Sequence, residues 1–270
     1  MNVASKKQQL RETIWKEMER SRIAVFPLPC RGRIPNFKGA EIAAERLRQL
    51  EDWKKAKVVF VNPDSPQRKV RENALREEKT LIMASPRLRK GFILINPAHV
   101  KEKEHFASTM KGAFKHGVEV NNFPKPNLIV QGSVAVDTHG HRLGKGHGYG
   151  DVEIKTLKRR FGVVPVATTV HDIQVVEAVP FEEKDEKVSV IVTPTRVIRV
   201  SSCSEMKKIC KWYVACPMKR FYEEGKLERK WIEEYCMGDY IHCVRYKLEE
   251  AGTPHPDNML PNGEIMKSLK

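Results

Sequence analysis

The residues best suited to chemistry stand in one run, Arg142-Leu143-Gly144-Lys145-Gly146-His147-Gly148-Tyr149-Gly150-Asp151. Alternate glycines strip side chains from a tight turn, so backbone amides can point into one concavity, and a helix starting at Asp151 adds its positive end. Phosphate suits such a place. Lys145 and Arg142 would add formal charge, while Asp151 could hold a magnesium ion bridging phosphate oxygens. The spacing is neither a Walker pattern nor the dinucleotide fingerprint, so taken alone it reads equally as a Gly-rich connection.

Other groups carry chemistry with competing readings. His171-Asp172 is an acid/base or orienting pair by residue type. Adjacent strand residues point to opposite faces, however, which favours a structural role for His171. Arg87 and Arg89 could clamp an anion, the tail of a substrate or a phosphate, or form a solvated basic loop. Near the carboxyl end the spacing Cys203-x6-Cys210-x5-Cys216-x19-Cys236-x6-Cys243 supplies enough thiolates for zinc or an iron–sulfur cluster, with His242 and His255 nearby. It lacks the close knuckle of structural zinc and the compact ferredoxin run. Buried reduced thiols or disulfides are the alternatives.

The elements that must position these residues alternate. Lys6–Arg22, Gly39–Lys55, Lys69–Glu78, Lys101–His116 and Asp151–Arg160 show helical spacing, while Lys57–Val61, Thr80–Ala84, Phe92–Ile95, Asn127–Val136, Val163–Val170 and Val188–Val200 are β-rich. Phe26-Pro27-Leu28-Pro29 and Arg33-Ile34-Pro35 force a loop. Short apolar strands between helices predict an α/β fold with a layered, mostly parallel or mixed sheet flanked by helices. Ligands in such folds gather at the carboxyl ends of strands. After Ser202 the chain turns to aromatic, charge-rich helices, Pro217–Tyr235 and Asp239–Ala251. The expected organisation is one domain over 1–200 and a small helical Cys-rich appendage over 203–270. Trp212, Tyr213, Phe221, Tyr222, Trp231, Tyr235, Tyr240 and Tyr246 read as its core rather than a base-stacking platform.

Charge follows the same division. Of a net +15, residues 1–202 hold +14 and the remainder +1. The first part therefore attracts anions such as phosphates or polyanionic cofactors, with nucleic acid a secondary partner. No apolar run approaches the roughly 20 residues of a bilayer span and no secretory signal is visible, so a cytoplasmic protein without a membrane partner is expected. Oligomeric state is left open.

Several motifs, in order, resemble one family. Asn127-Leu128-Ile129-Val130-Gln131-Gly132-Ser133-Val134-Ala135-Val136-Asp137, Gly140 and Arg142–Asp151 are similar to the signature of the 5-formyltetrahydrofolate cyclo-ligases. Lys7, Leu10 and Arg11, Glu41-Ile42, and Gln174-Val175-Val176 with Pro180, Asp185 and Thr193 extend the resemblance over about residues 1–200. Ile34–Gly39, Pro86–Arg89, Val170–Asp172 and Thr193–Ile198 look closer to the branch of methenyltetrahydrofolate synthetase domain-containing proteins. The resemblance implies ATP and magnesium as cofactors and a reduced folate or pterin as substrate. It implies that Lys7, Arg11, Gly144, Gly146, His147 and Gly148 meet ATP, and that Asp151 and Asp185 ligate magnesium. Arg142, Lys145 and Tyr149 would serve the reacting groups, Glu41 and Tyr149 would face the pterin or its formyl end, and Arg87 the glutamate tail. Phosphoryl transfer to the formyl oxygen, then ring closure by the second folate nitrogen, is the implied chemistry.

The chain departs from the family at three places. His147 stands where a basic residue is usual, Gly150 replaces a second tyrosine, and Lys184 replaces the histidine before the closing aspartate. One fold can outlive one activity. A catalytically altered nucleotide-binding paralogue, with a regulatory or RNA-binding role, is therefore the alternative reading.

Overall fold

A computed structural model of the 270-residue chain describes residues 2–85, 88–89, 91–200 and 209–269. The chain forms two compact units, Met1–Val200 and Ser201–Lys270. The first unit runs α1 (Val3–Arg20), α2 (Ala40–Arg48), α3 (Glu51–Lys54), β1 (Val58–Val61), α4 (Arg68–Arg76), β2 (Thr80–Ala84), β3 (Phe92–Ile95), α5 (Glu104–Ala107), α6 (Met110–His116), β4 (Val118–Val120), β5 (Leu128–Gln131), β6 (Ala135–Asp137), β7 (Arg142–Leu143), α7 (Tyr149–Phe161), β8 (Val166–Thr169), β9 (Val175–Val176), β10 (Val190–Val192) and β11 (Val197–Arg199).

Eight strands form one mixed sheet in the order β11-β10-β8-β5-β1-β2-β3-β4. Its centre, β10-β8-β5-β1-β2, is parallel, and the antiparallel strands β11, β3 and β4 lie toward the edges. Strand alternation divides the core between the two faces. Val59, Val61, Leu81 and Met83 face a layer built from α2 to α6, which contributes Leu47, Trp53 and Leu75. Phe60, Ile82 and Ile129 face the other side, with Ile154 and Leu157 of α7. This two-sided burial explains why these strands read as continuous apolar runs rather than as alternating ones.

A small sheet, β7-β6-β9, joins the end of the main sheet to α1. Ile14, Trp15 and Met18 of α1 pack with Val134, Ala135 and Leu143. Asn2 caps α1 by accepting from the Ser5 amide at 2.9 Å. The amino-terminal helix is thereby placed beside the chain that enters the glycine loop.

Several expected helices are interrupted. Leu50 is extended and divides the 39–55 segment into α2 and α3. Thr109 stops α5 and restarts α6 by accepting from the Gly112 amide at 3.0 Å. Helical spacing continued through both breaks, because a turn that reverses direction on a packed surface can keep its apolar face inward.

The second unit contains α8 (Pro217–Glu223), α9 (Arg229–Trp231) leading into a wide π turn over Ile232–Cys236, and α10 (Val244–Glu250). The expected helix over 217–235 is broken at Gly225, whose φ of +69° suits no continuing L-residue helix. Phe221, Met218, Leu227 and Ile232 form its core, with Tyr213, Tyr222 and Trp231 packed partly against it. Tyr235, Tyr240, Tyr246 and Trp212 instead line a cavity. No helix among the described residues is long and apolar enough to cross a membrane.

Phe60 is fully buried at the middle of the central strand, so Phe60→Ala should cost about 3–5 kcal/mol. Denaturant unfolding of the two proteins checks this, and a loss below about 1 kcal/mol would show that the sheet centre is not the core described here.

Candidate functional site

Three parallel neighbours end at one place. β1 continues into Asn62-Pro63-Asp64, β2 into Ser85, and β5 into Gln131-Gly132, and all line a cavity of about 460 Å³. Its opposite wall is the glycine loop, Gly144 to Gly148, followed by the first turn of α7. The other side of that loop faces a second cavity of about 340 Å³, lined by Lys7, Arg11, Gly146, Lys155, Glu182 and Asp185. Gly144, Gly148 and Asp151 border both cavities. The loop is therefore a partition between the two cavities, which meet at these three residues.

Its conformation needs glycine at two positions, since φ is +105° at Gly146 and +73° at Gly148, where α7 begins. Among the described residues, the amides of Lys145, Gly146, His147 and Gly148 donate to no backbone acceptor. Arg11 crosses from α1 and donates from Nε to the Gly144 carbonyl at 2.7 Å. Lys145 donates to Asp64 Oδ1 at 2.8 Å, which joins the loop to the end of β1. The rings of His147 and Tyr149 lie nearly parallel, 6.2 Å apart.

Arg142 is buried under this loop. It donates to the Gly132 carbonyl at 3.2 Å and to Asp151 Oδ1 at 3.0 Å, so one guanidinium ties the end of β5 to the start of α7. Gly150 makes room for it: a Cβ there would stand 2.5 Å from Arg142 Nη2. The missing second tyrosine is thus occupied space rather than an empty slot.

The second cavity is electrostatically paired. Lys7 donates to Asp185 and, at 3.1 Å, to Glu182. Burial works against the Lys7 ammonium, yet the bonds to Asp185 and Glu182 outweigh it and hold its pKa above the ordinary lysine value. Asp185 is partly buried, which opposes its charge, but Lys7 and the Glu182 amide pull its pKa below the usual aspartate value. Burial lowers the pKa of Arg11, against the attraction of Asp185 and Asp151.

Most of the expected residues are brought to this partition. Arg142, Lys145, Tyr149, Gly144, His147, Gly148 and Asp151 border the first cavity, and Lys7, Arg11, Gly146 and Asp185 the second. Glu41 is not. It is exposed in the first turn of α2 and lines a separate cavity with Asn36, Ile42 and Lys69. The register of α2 turns Ala40, Ala43, Ala44 and Leu47 inward and leaves Glu41 exposed, on a cavity that shares Ser65 with the first. Arg87 and Cys203 lie outside the described residues. The strand argument for His171 also needs correction, since β8 ends at Thr169. His171 instead caps a 3-10 turn, with Nδ1 accepting from the Ile173 amide at 3.2 Å and its own amide donating to Gln174 Oε1 at 2.8 Å. Asp172 accepts from Thr193 and Thr195.

The sequence reading missed Asp64, Asn62 and Glu153. Asp64 and Asn62 were findable, because they follow the carboxyl end of a central parallel strand. Glu153 had no local signal: it looks like one more charge on an amphipathic helix, yet it is buried against Gln131, which donates to it at 2.8 Å. Burial, opposed by the Gln131 bond, pushes its carboxyl up to about 7. Asn62 Oδ1 is likewise buried and without a hydrogen-bond partner. The first cavity therefore offers a near-neutral carboxyl and an open acceptor beside Lys145.

Residues 3–194 match the 5-formyltetrahydrofolate cyclo-ligase family. The methenyltetrahydrofolate synthase domain-containing protein of Bos taurus is 42% identical over 212 residues, covering 74% of this chain and 55% of the relative. The protein of that name from Homo sapiens is 39% identical over 76% of this chain and 56% of its own length. The chain thus spans about half the length of these curated relatives. The 5-formyltetrahydrofolate cyclo-ligase of Escherichia coli (strain K12) is 35% identical over 71 residues, 26% of this chain and 38% of that one. Among solved structures, the 5,10-methenyltetrahydrofolate synthetase of Aquifex aeolicus aligns with a TM-score of 0.48 at 23% identity, over 72% of this chain and 92% of that one.

Two outcomes follow from this geometry. Gly150→Ala should displace the Arg142 guanidinium from Asp151 and cost about 1–3 kcal/mol by overpacking, measurable by denaturant unfolding; an unchanged midpoint would mean that Arg142 has another place to go. For Glu153 the sign is set by a raised pKa. The folded carboxyl keeps its proton where the unfolded one has lost it, so its contribution falls as pH rises from about 4.5 to about 7. Glu153→Gln should remove that loss, leaving the variant more stable than the parent by up to roughly 3 kcal/mol above pH 7 and little different at pH 4. Parallel thermal melts across this range test it, and a constant difference at all pH values would count against it.

Proposed function

Because the chain belongs to the 5-formyltetrahydrofolate cyclo-ligase family, we propose that its first unit converts 5-formyltetrahydrofolate, or a related formyl-pterin, to the 5,10-methenyl form with release of ADP and phosphate. The observation that carries this reading is the shared edge of the two cavities. Donor and acceptor must touch for the γ-phosphoryl group to pass, and Gly144, Gly148 and Asp151 border both cavities, where ligands held on the two sides of the loop can meet.

In this reading the ATP phosphates lie along Lys7, Arg11 and the glycine amides. A magnesium ion carried by a nucleotide requires only one or two protein carboxylates. Asp151 and Asp185 fit that requirement by type and position, although each now faces a cation, Arg142 and Lys7 respectively. The ion would neutralise phosphate charge. The pterin lies in the first cavity, where Asn62 Oδ1 and Glu153 can accept from its ring N–H groups and Tyr149 covers it. Lys145 borders this cavity, placed to offset charge as the formyl oxygen takes the γ-phosphoryl group and ADP departs. The second folate nitrogen then attacks the formyl carbon. Phosphate leaves, and that nitrogen's proton passes to solvent or to a nearby carboxylate. The protein's share is alignment and charge compensation, with no covalent enzyme intermediate.

His147 and Gly150 fit the same reading. Gly150 is filled by Arg142, and the His147 ring sits parallel to Tyr149, so neither departure leaves a hole in the cavity wall.

The test is ADP release by magnesium-replete protein on addition of 5-formyltetrahydrofolate, with the methenyl product followed by its absorbance. Lys145→Ala should lower kcat/KM by about 100-fold, the scale of one lost electrostatic contact in a transition state. Nucleotide binding without ADP release by the parent protein would defeat the cyclo-ligase reading in favour of an altered paralogue.

A further inference from the structure

The second unit has a cavity of its own. Cys210, Cys216, Cys236 and Cys243 all line it, in a volume of about 60 Å³, and none is joined in a disulfide. They come from separate places: a loop, the start of α8, the end of the π turn, and the start of α10. The Cys210 amide donates to the Cys236 carbonyl at 2.8 Å, which brings two of these segments together. We propose that these four cysteines are the ligands of an iron–sulfur cluster.

Spacing decides the kind of centre. A single tetrahedral zinc ion, with Zn–S near 2.3 Å, draws its four sulfurs to within about 4 Å of one another. Among the described residues no group of three or more His, Cys, Asp or Glu side chains is gathered to hold a metal ion. The four thiols line one void of about 60 Å³. A cluster bonds each thiolate to its own iron corner and fills the middle with iron and sulfide, so its ligands stand around a volume rather than converging on a point.

The surroundings suit thiolates once a cluster is present. The Tyr213 amide donates to the Cys210 carbonyl at 2.8 Å, so the loop turns tightly beside the cavity. Without a cluster, burial raises the pKa of Cys236, up to about 12, and of Cys210 and Cys243, so ligation would release protons to solvent. Arg245 is buried beside them with Nε lacking a partner, and the buried ring of His255 lines the same cavity with Nδ1 unpartnered. Tyr235, Tyr240 and Tyr246 shield the opening.

Size gives a second, independent reason. The unit spans residues 201–270 and has a main apolar cluster of seven buried residues. Units this small usually need a staple such as a metal centre or disulfides, and its described cysteines are unpaired.

The test uses the full chain purified without oxygen, reconstituted with ferrous iron and sulfide, and desalted. The expected result is about two to four irons per chain with a near-equal amount of acid-labile sulfide. Its Mössbauer spectrum should be that of iron tetrahedrally coordinated by sulfur alone. Cys210→Ser, Cys216→Ser, Cys236→Ser and Cys243→Ser should each lower iron content several-fold, while Cys30→Ser, in the first unit, should leave it unchanged. Iron without sulfide, zinc alone at one per chain, or oxygen- and nitrogen-ligated iron in the parent protein would overturn the proposal. The parent spectrum is decisive even where a serine variant fails to fold. Folate turnover is not a readout, so failure here and failure of the cyclo-ligase reading remain separate.

Discussion

The first unit depends on one buried cation. The Arg142 guanidinium reaches the Gly132 carbonyl at the end of the central sheet and Asp151 at the start of α7. A charge in that position is tolerable only while its partners are kept. It therefore sets where the glycine loop leaves the sheet and where the following helix begins. Gly150 exists beside it for want of space, and Gly132 likewise, since a Cβ at Gly132 would press on Ile34 and Gln67 at under 3 Å. The partition between the two cavities is a consequence of this packing.

Charge is then distributed unequally across the partition. On the α1 side, Lys7 and Arg11 face Asp185, Glu182 and Asp151, so exposed cations are already compensated. An incoming polyanion would have to replace carboxylates as partners for Lys7, and a divalent ion arriving with it would take up the carboxylates released. On the sheet side, Lys145 is held by Asp64, while the Glu153 carboxyl, pushed up to about 7, is protonated for only part of the time near neutral pH. In the proposed reading, one side exchanges ionic partners and the other discriminates by hydrogen bonding, which suits a reaction between a nucleotide and a small heterocycle.

The second unit follows a different logic. Its charge is balanced, its helices are short, and much of its aromatic surface surrounds a void instead of filling a core. A protein interior is normally packed without such space. In the cluster proposal, the four thiols around it, rather than the aromatic residues, would give this unit its organising centre.

Much of this was legible in the residues themselves. The layered α/β class, the strands at 80–84 and 92–95, the glycine loop and the family all follow from local apolar runs and from motifs whose spacing is short, because such patterns are set by neighbouring residues. That Lys7 and Asp185 belong to one site was implied only through resemblance, and their direct pairing was not foreseen. Helix breaks at Leu50, Thr109 and Gly225 escaped notice, since periodicity survives a turn that keeps its apolar face inward. What the tertiary structure alone decided is which side chains meet. Glu41 belongs to the same set of family-like motifs yet lines a different cavity, because the register of α2 commits its opposite face to the core. Glu153 has the local look of a surface charge yet lies buried against Gln131. Burial, and with it the cost of holding a charge, is a property of what packs around a residue from distant parts of the chain, and no window of sequence contains that information.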